Sequence, residues 1–410
     1  MEADVTLDKG VIGRASVPSG ASTGLAEAHE LRDGNPLHYQ GLGVLAAVSN
    51  VNLEIADALA GQDASDQHAL DEQMRLLDGT PQLERLGGNA VLAVSLAACR
   101  AVAQARQQAL YERIAELSEQ TELLMPMPMI NILSGGMHAR HGMDVQDFLA
   151  VPMSARDTTE ALHMISQVRQ ACAEIMAQRG LSTLLADEGG LSPGFARAEQ
   201  ALELLMRAFE QAGLRPGHDV GIAIDVAASS LKGPNGHYKL TREGRLVSAA
   251  EMIDRVRYWV AHFPVISVED PLDENAWSDW ATLQGELGHV IQLVGDDLFT
   301  TNLDRLKKGI DTQAANTVLI KLNQNGTLSG TLEVLKLARS QGFATVISAR
   351  SGETEDDFLA DLAVGTGAGQ IKVGSLRSSE RLCKYNQLLR IEERCGAGFA
   401  GMRAFATRAT

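Results

Sequence analysis

The feature that most constrains this chain is a unit repeated through its second half, a short apolar run that ends in a polar, chemically capable side chain. It occurs in Gly221-Ile-Ala-Ile-Asp225, Val265-Ile-Ser-Val-Glu269, Ile291-Gln-Leu-Val-Gly-Asp296, Thr317-Val-Leu-Ile-Lys321, Ala344-Thr-Val-Ile-Ser348 and Gln370-Ile-Lys372. Successive ends lie 44, 27, 25, 27 and 24 residues apart, each interval holding one strand, one helix and their turns. Helical stretches fit between them, such as 302–309 and 327–341, the second opening on Thr327 as an N-cap and closing at Gly342. Apolar runs alternating with amphipathic helices predict βα units around a parallel sheet, and the interval is that of an α/β barrel. The C-terminal strand ends of such a barrel form its active-site face.

The first part of the chain reads differently. Met1-Glu2-Ala3-Asp4-Val5-Thr6-Leu7 alternates like a strand already under way, so this region is expected to be truncated at its start. A Gly/Ser loop, Pro18-Ser19-Gly20-Ala21-Ser22-Thr23-Gly24, follows, and then helical periodicity over 43–117. The expected fold class is therefore α/β: a (β/α)8 TIM-type barrel over 121–410 with a smaller N-terminal α+β capping domain over 1–120.

Composition narrows the function classes. Hydrophobic residues make up 45% and charged residues 21%, which fits a folded globular chain. With 36 Lys and Arg against 52 Asp and Glu, the net charge of −16 argues against nucleic acid or an anionic membrane as partner. The longest apolar runs, 86–99 and 123–133, are too short to span a bilayer, and the second contains Pro126 and Pro128. Cys99, Cys172, Cys383 and Cys395 form no C-x-x-C pair and no secretion signal precedes them, so reduced, structural cysteines and a cytoplasmic location are expected. Met125, Met127 and Met129 read as barrel core. Gly365-Thr-Gly-Ala-Gly369 lacks a Walker lysine and reads as a helix-to-strand turn.

Three acids at neighbouring strand ends, Asp225, Glu269 and Asp296, converge on the barrel mouth, where they repel one another unless a cation joins them. A set of carboxylates without Cys or His suits Mg²⁺ better than Zn²⁺. Any one of these acids taken alone fits a surface salt bridge; their shared position selects the metal reading. Lys321 and Lys372 also end apolar runs. A desolvated lysine facing a dication has its ammonium form disfavoured and can serve as a general base, although either one alone could equally pair with a strand-end acid. Arg350 and Ser351 carry the groups that grip a phosphate, the alternative being an Arg350 pair with Glu353 or Glu355. Glu188 precedes two glycines in Leu185-Ala-Asp-Glu-Gly-Gly190, which let the backbone turn sharply and bring a ligand close. His138-Ala-Arg-His141 lacks helical i, i+4 spacing and any Cys, so a zinc pair is not expected there.

Together, Glu269-Asp270-Pro271, Gly295-Asp-Asp-Leu-Phe299, Ser351-Gly-Glu-Thr-Glu-Asp356 and Lys384-Tyr-Asn-Gln-Leu-Leu-Arg-Ile-Glu-Glu393 resemble the enolase family of phosphopyruvate hydratases. The resemblance extends to Val17-Pro-Ser-Gly-Ala-Ser-Thr-Gly24, Asn89-Ala-Val-Leu-Ala-Val-Ser-Leu-Ala97, Gly135-Gly-Met-His138 and Asp225-Val-Ala-Ala-Ser229. It implies a hydro-lyase that interconverts 2-phosphoglycerate, a small phosphorylated hydroxy acid, and phosphoenolpyruvate, with two Mg²⁺ per site and a homodimer or higher homo-oligomer. It further implies Asp225, Glu269 and Asp296 as ligands of the first Mg²⁺, with Ser22 at the second. In the same reading Lys321 is the base, Glu188 the acid at the leaving hydroxyl, Lys372 the partner of the substrate carboxylate, and Arg350 with Ser351 the phosphate site. His138 and Asp147 lie at the substrate. Pairing of a Lys or His base with Mg²⁺ is general to enolase-superfamily sites, so the resemblance carries that pairing with it.

Three positions depart from the family pattern. Ser348-Ala349-Arg350-Ser351-Gly352-Glu353-Thr354 stands where the family has Ser-His-Arg-Ser-Gly-Glu-Thr, so a methyl replaces an imidazole. Asp147, in Gln146-Asp147-Phe148, is one methylene shorter than the family's Glu, and Ala186 stands where the family usually has Gly. These departures leave two alternatives to the hydratase: a paralogue acting on a phosphonate analogue, as in carboxyphosphonoenolpyruvate synthesis, and a catalytically silent binding protein on the same fold.

Overall fold

The computed structural model describes residues 1–20 and 24–405. Eight strands close into a barrel and pair in chain order: Met127–Ser134, Asp147–Val151, Gly221–Asp225, Val265–Glu269, Gln292–Gly295, Thr317–Ile320, Ala344–Ser348 and Gly369–Gly374. All six apolar runs singled out in the sequence are among them. Asn302 and Thr327 cap the helices Leu303–Thr312 and Leu328–Ser340, each side chain accepting from backbone N–H groups of the first turn. Helix Phe358–Gly365 ends at the glycine-rich turn, and the eighth strand begins at Gly369.

The barrel corrects the parallel sheet expected from the alternation, because its second strand runs antiparallel to both neighbours. The cause lies in the connections. Loop 135–146 holds only the short turn Met137–Ala139, too little chain for the helical crossover that a parallel pair needs. Two helices, Thr158–Gln178 and Ala198–Gln211, then follow together on the return to the third strand. The reversal places the first residue of the second strand, Asp147, at the same mouth as the last residues of its neighbours, in register with Ser134 and Asp225. A second correction concerns Lys372, which does not end its strand: the strand continues to Gly374, and Lys372 sits within it opposite Ser348.

The strands read as continuous apolar runs because both faces are buried. Met127, Met129, Leu149, Val151, Ala223, Val294, Leu319 and Val346 fill the interior, while residues such as Ile130, Phe148, Ile222, Leu293 and Ile347 join the surrounding core. Phe405 packs into the interior set with Phe399, Met402 and Ala404, and Gln370 Nε2 donates to the Ala404 carbonyl at 3.0 Å. The C-terminal segment thus seals the pole opposite the mouth. The four cysteines are free thiols, Cys99 and Cys172 fully buried.

In the N-terminal region, the antiparallel hairpin Glu2–Thr6/Ile12–Ser16 lies on helix Gly88–Ala105. That helix extends beyond the apolar run 86–99 and is long and apolar enough to cross a membrane, but 83% of it is buried inside the protein, as for a core helix. Contact between hairpin and helix is backbone to backbone at Gly13, where a Cβ would stand 2.1 Å from the Ala97 carbonyl oxygen. Gly13→Ala is expected to lower unfolding free energy by about 1–3 kcal/mol in urea titration. Gly285→Ala, in an exposed turn of helix Trp277–Leu287 with open space around it, is expected to raise it by roughly 0.5–1 kcal/mol.

Candidate active site

Sheet register assembles one arc of the mouth: Ser134, Asp147, Asp225 and Glu269 lie on four successive strands as direct neighbours. Ser134 Oγ donates to Asp147 Oδ1 at 2.6 Å, and Gln146 Nε2 to Asp225 Oδ2 at 3.1 Å. Across the barrel, Lys372 Nζ donates to Asp225 Oδ2 at 2.7 Å and to Glu269 Oε1 and Oε2 at 2.8 and 2.7 Å. Asp296 is bound by Lys321 Nζ and by Gln324 Nε2, the latter at 2.9 Å. The turn after Glu269 is held by Asp270, whose carboxylate accepts from the N–H groups of Asp296 and Asp297 at 3.0 and 2.7 Å.

The three expected acids stand at neighbouring strand ends, but among the described residues they do not form one close set of ligand atoms: Asp225 and Glu269 share Lys372, and Asp296 pairs separately with Lys321, the alternative open for each lysine. Burial lowers the affinity of Lys321 for its proton, but the Asp296 carboxylate outweighs it and holds the ammonium above its ordinary pKa. Lys372 is likewise raised, burial being overcome by Asp225 and Glu269. Without a dication beside them, both lysines therefore keep their ammonium form. Burial and then Asp225 push Glu269 upward, whereas Lys321 draws Asp296 down against its burial.

A second set lies beside the first. His138 Nδ1 stands 3.4 Å from Asp147 Oδ2 and 3.7 Å from Glu188 Oε1, all three side chains being buried. Gly189 turns the chain with φ +81°, and Gly190 has no room for a Cβ, which would stand 2.2 Å from Ser134 Oγ. The two glycines thus set Glu188 in place, as their motif suggests. Asn131 Nδ2 donates to Glu188 Oε2 at 3.1 Å, while Asn131 Oδ1, His138 Nδ1 and Asp147 Oδ2 are buried without a hydrogen-bond partner. Burial opposes the charge of His138, but Glu188 and Asp147 override it and raise the imidazole to about 9. Glu188 is held below the ordinary carboxylate range, chiefly by His138 against the effect of burial. Among the described residues, two sets of acids and imidazole have ligand atoms within 4.8 Å of one another: His138, Asp147 and Glu188, and Asp270, Asp296 and Asp297.

Arg350 is only 4% exposed and pairs with neither Glu353 nor Glu355. Its Nη1 donates to Glu27 Oε2 at 2.8 Å and to Asn323 Oδ1 at 3.1 Å. Arg381 donates to the carbonyls of Arg350 and Ser351 at 2.5 and 2.6 Å and to that of Val373 at 3.1 Å, tying the Arg350–Ser351 turn to the Lys372 strand. Ser22 lies outside the described residues. Sequence reasoning missed Glu27, Asn131, Gln324 and Arg381. Asn131 carried a signal, as a lone amide in the fully buried strand Met127–Ser134.

Two family models match in succession: the enolase N-terminal domain over residues 1–114 and the enolase C-terminal TIM barrel domain over residues 122–407. The chain belongs to the enolase family. Enolases are lyase-type enzymes that bind Mg²⁺, and the donor set here fits that ion. Lys372 Nζ marks a point where three carboxylate oxygens already converge on positive charge, and every donor around it is a hard oxygen.

Because the His138 pKa is raised in the folded protein, its contribution to stability is complete below the unfolded value near 6.5 and is lost as pH rises through about 9. In urea titrations with chelator present, the stability difference between wild type and His138→Asn should shrink by at most roughly 3 kcal/mol between pH 6 and pH 10. A difference independent of pH would contradict the charged imidazole.

Proposed function

We propose that this enolase-family protein is a Mg²⁺-dependent hydro-lyase that reversibly dehydrates 2-phosphoglycerate to phosphoenolpyruvate, acting as a cytoplasmic homodimer or higher homo-oligomer. The observation that carries the reading is a pair of buried acid–lysine sets at neighbouring strand ends, Asp225 and Glu269 with Lys372 and Asp296 with Lys321, beside the buried Arg350–Glu27 pair. A proton α to a carboxylate is too weakly acidic for lysine in water, so the charge that develops on the carboxylate must be stabilised. Asp225, Glu269 and Asp296 would hold Mg²⁺, which when bound would supply the positive charge that stabilises it.

Lys321 is the base, and it becomes competent once Asp296 turns from its ammonium. Lys372 stands within reach of Asp225 and Glu269 and neutralises the substrate carboxylate. Arg350, braced by Arg381, takes the phosphate. On the other side, the His138–Glu188 pair holds the proton that the departing hydroxide needs, with Asn131 and Asp147 fixing the two side chains. Base and acid stand on different strands and loops, so one proton can leave while another is delivered.

Ala349 favours a second reading. It is buried after the seventh strand, its N–H donating to the Lys372 carbonyl at 2.9 Å, so the residue is tied to the strand that carries the substrate-facing lysine. A substrate that does not need an imidazole there, such as a phosphonate analogue, suits this pocket.

Turnover of 2-phosphoglycerate, followed by the absorbance of the enol product, is expected to require Mg²⁺. Lys321→Ala should lose about 10²- to 10⁴-fold in kcat while circular dichroism shows the fold retained. A fully active Lys321→Ala would sink the assignment. For the second reading, Ala349→His should raise turnover of 2-phosphoglycerate; no gain would count against a retuned pocket.

A further inference from the structure

Arg350, the side chain assigned to the phosphate, is already occupied. Its Nη1 meets the Glu27 carboxylate at 2.8 Å, and both side chains are buried, at 4% and 6% exposure. On the neighbouring edge, a Cβ on Gly20 would stand only 1.8 Å from Nη2, so the N-terminal backbone lies directly against the guanidinium. Two hydrogen bonds pin that backbone: Ser19 N–H to the Gly352 carbonyl at 2.9 Å, and Gly352 N–H to the Ser19 carbonyl at 3.0 Å. The cavity between Pro18, Gly20, Glu27, Asn323 and Arg350 measures about 20 Å³, room for one water and not for a phosphate group.

Glu27 does not hang free in this contact. Its Oε1 accepts from Gly24 N–H at 2.8 Å and from Gln324 Nε2 at 3.2 Å, and the same Gln324 nitrogen donates to Asp296 Oδ1 at 2.9 Å. Asp296 in turn binds Lys321. A carboxylate that is buried, anchored at both oxygens and paired to the phosphate-binding arginine repels an arriving dianion and offers the arginine the same charge-assisted bonds.

Resting on the assignment of Arg350 to the phosphate, we propose that Glu27 is a positioning residue that competes with the substrate phosphate for Arg350. Part of the intrinsic attraction between guanidinium and phosphate goes into displacing Glu27, so the pair lowers affinity for any phosphate. Glu27→Gln keeps the shape and hydrogen-bonding reach of the side chain but removes its charge.

The test is calorimetric titration of the full chain with inorganic phosphate, followed by steady-state kinetics on 2-phosphoglycerate. Glu27→Gln should bind phosphate about tenfold more tightly than wild type. KM should fall in the same direction without a rise in kcat, the pattern of a change in uniform binding. A folded Glu27→Gln that binds phosphate no more tightly than wild type overturns the proposal, because a merely structural role for Glu27 predicts loss and never gain. Should Glu27→Gln not fold, Glu27→Asp retains the charge but shortens the reach, and about threefold tighter phosphate binding is expected; equal or weaker binding overturns the proposal. Arg350→Ala separates the two levels. If it still binds phosphate as wild type does, the assignment of Arg350 falls; if it does not bind while the Glu27 variants are unchanged, only the competition falls.

Discussion

The interaction on which the rest of the structure depends is the bonding of Lys372 to Asp225 and Glu269 inside the barrel mouth. Two carboxylates on adjacent strands, both nearly inaccessible, are untenable in a low-dielectric interior unless positive charge joins them. Removing one member of such a buried set typically costs about 3–5 kcal/mol, because the other charge is left without compensation. Lys372 reaches them from the opposite wall, so the pairing also spans the barrel and ties the eighth strand to the third and fourth. Lys321 does the same for Asp296 from the neighbouring strand end. The fold tolerates three buried acids because two of its own strands deliver ammonium groups to them.

That arrangement explains why so much was legible in the sequence. A residue such as Asp225 or Glu269 must end its strand, since one position earlier it would face the apolar interior or the helices. The regular recurrence of polar ends is therefore a direct print of the mouth. The reading failed where non-local partners decide. The antiparallel second strand depends on how little helix can form in loop 135–146, and the sequence offers no repeat there to break. Lys372 looks like a strand end because a polar residue follows an apolar run, yet the strand passes through it to Gly374; the side chain is polar because it answers acids on strands far away in the chain. Glu27 is separated from Arg350 by most of the sequence, and only the docking of Ser19 on Gly352 brings them together. The sealing of the opposite pole by Phe405 is of the same kind, a contact fixed by where the chain ends up and not by any local pattern.

The assignment of protons follows a similar logic. Burial alone would make every acid at the mouth neutral, yet Asp296 and Glu188 are drawn down while Glu269 and Asp147 are pushed up. The difference is the balance of cations and acids around each carboxylate. Asp296 has Lys321 to itself, whereas Glu269 shares Lys372 with Asp225; Glu188 and Asp147 share His138, but Glu188 also feels Arg381, Lys372 and Lys321, while Asp147 faces the charges of Glu188 and Asp225. Pairs of ionisable groups pushed apart in this way are the usual mark of divided acid and base duties.

The two ends of the site use one device. At the acid end, lysine ammoniums stand where carboxylates want a cation; at the phosphate end, the Glu27 carboxylate stands where a guanidinium wants an anion. Each of these charges has an internal partner, so on the proposed function binding would exchange one set of buried ion pairs for another and strand no isolated charge. Exchange of this sort is selective by charge number. On the proposed function, a singly charged ligand would only replace what is already present, whereas a dication at Asp225, Glu269 and Asp296, or a dianion at Arg350, would out-compete a single ammonium or carboxylate. The cost is a weaker net affinity than the bare groups would give. What it secures is a site whose side chains are already placed, since each is held by its partner until the proper charge arrives.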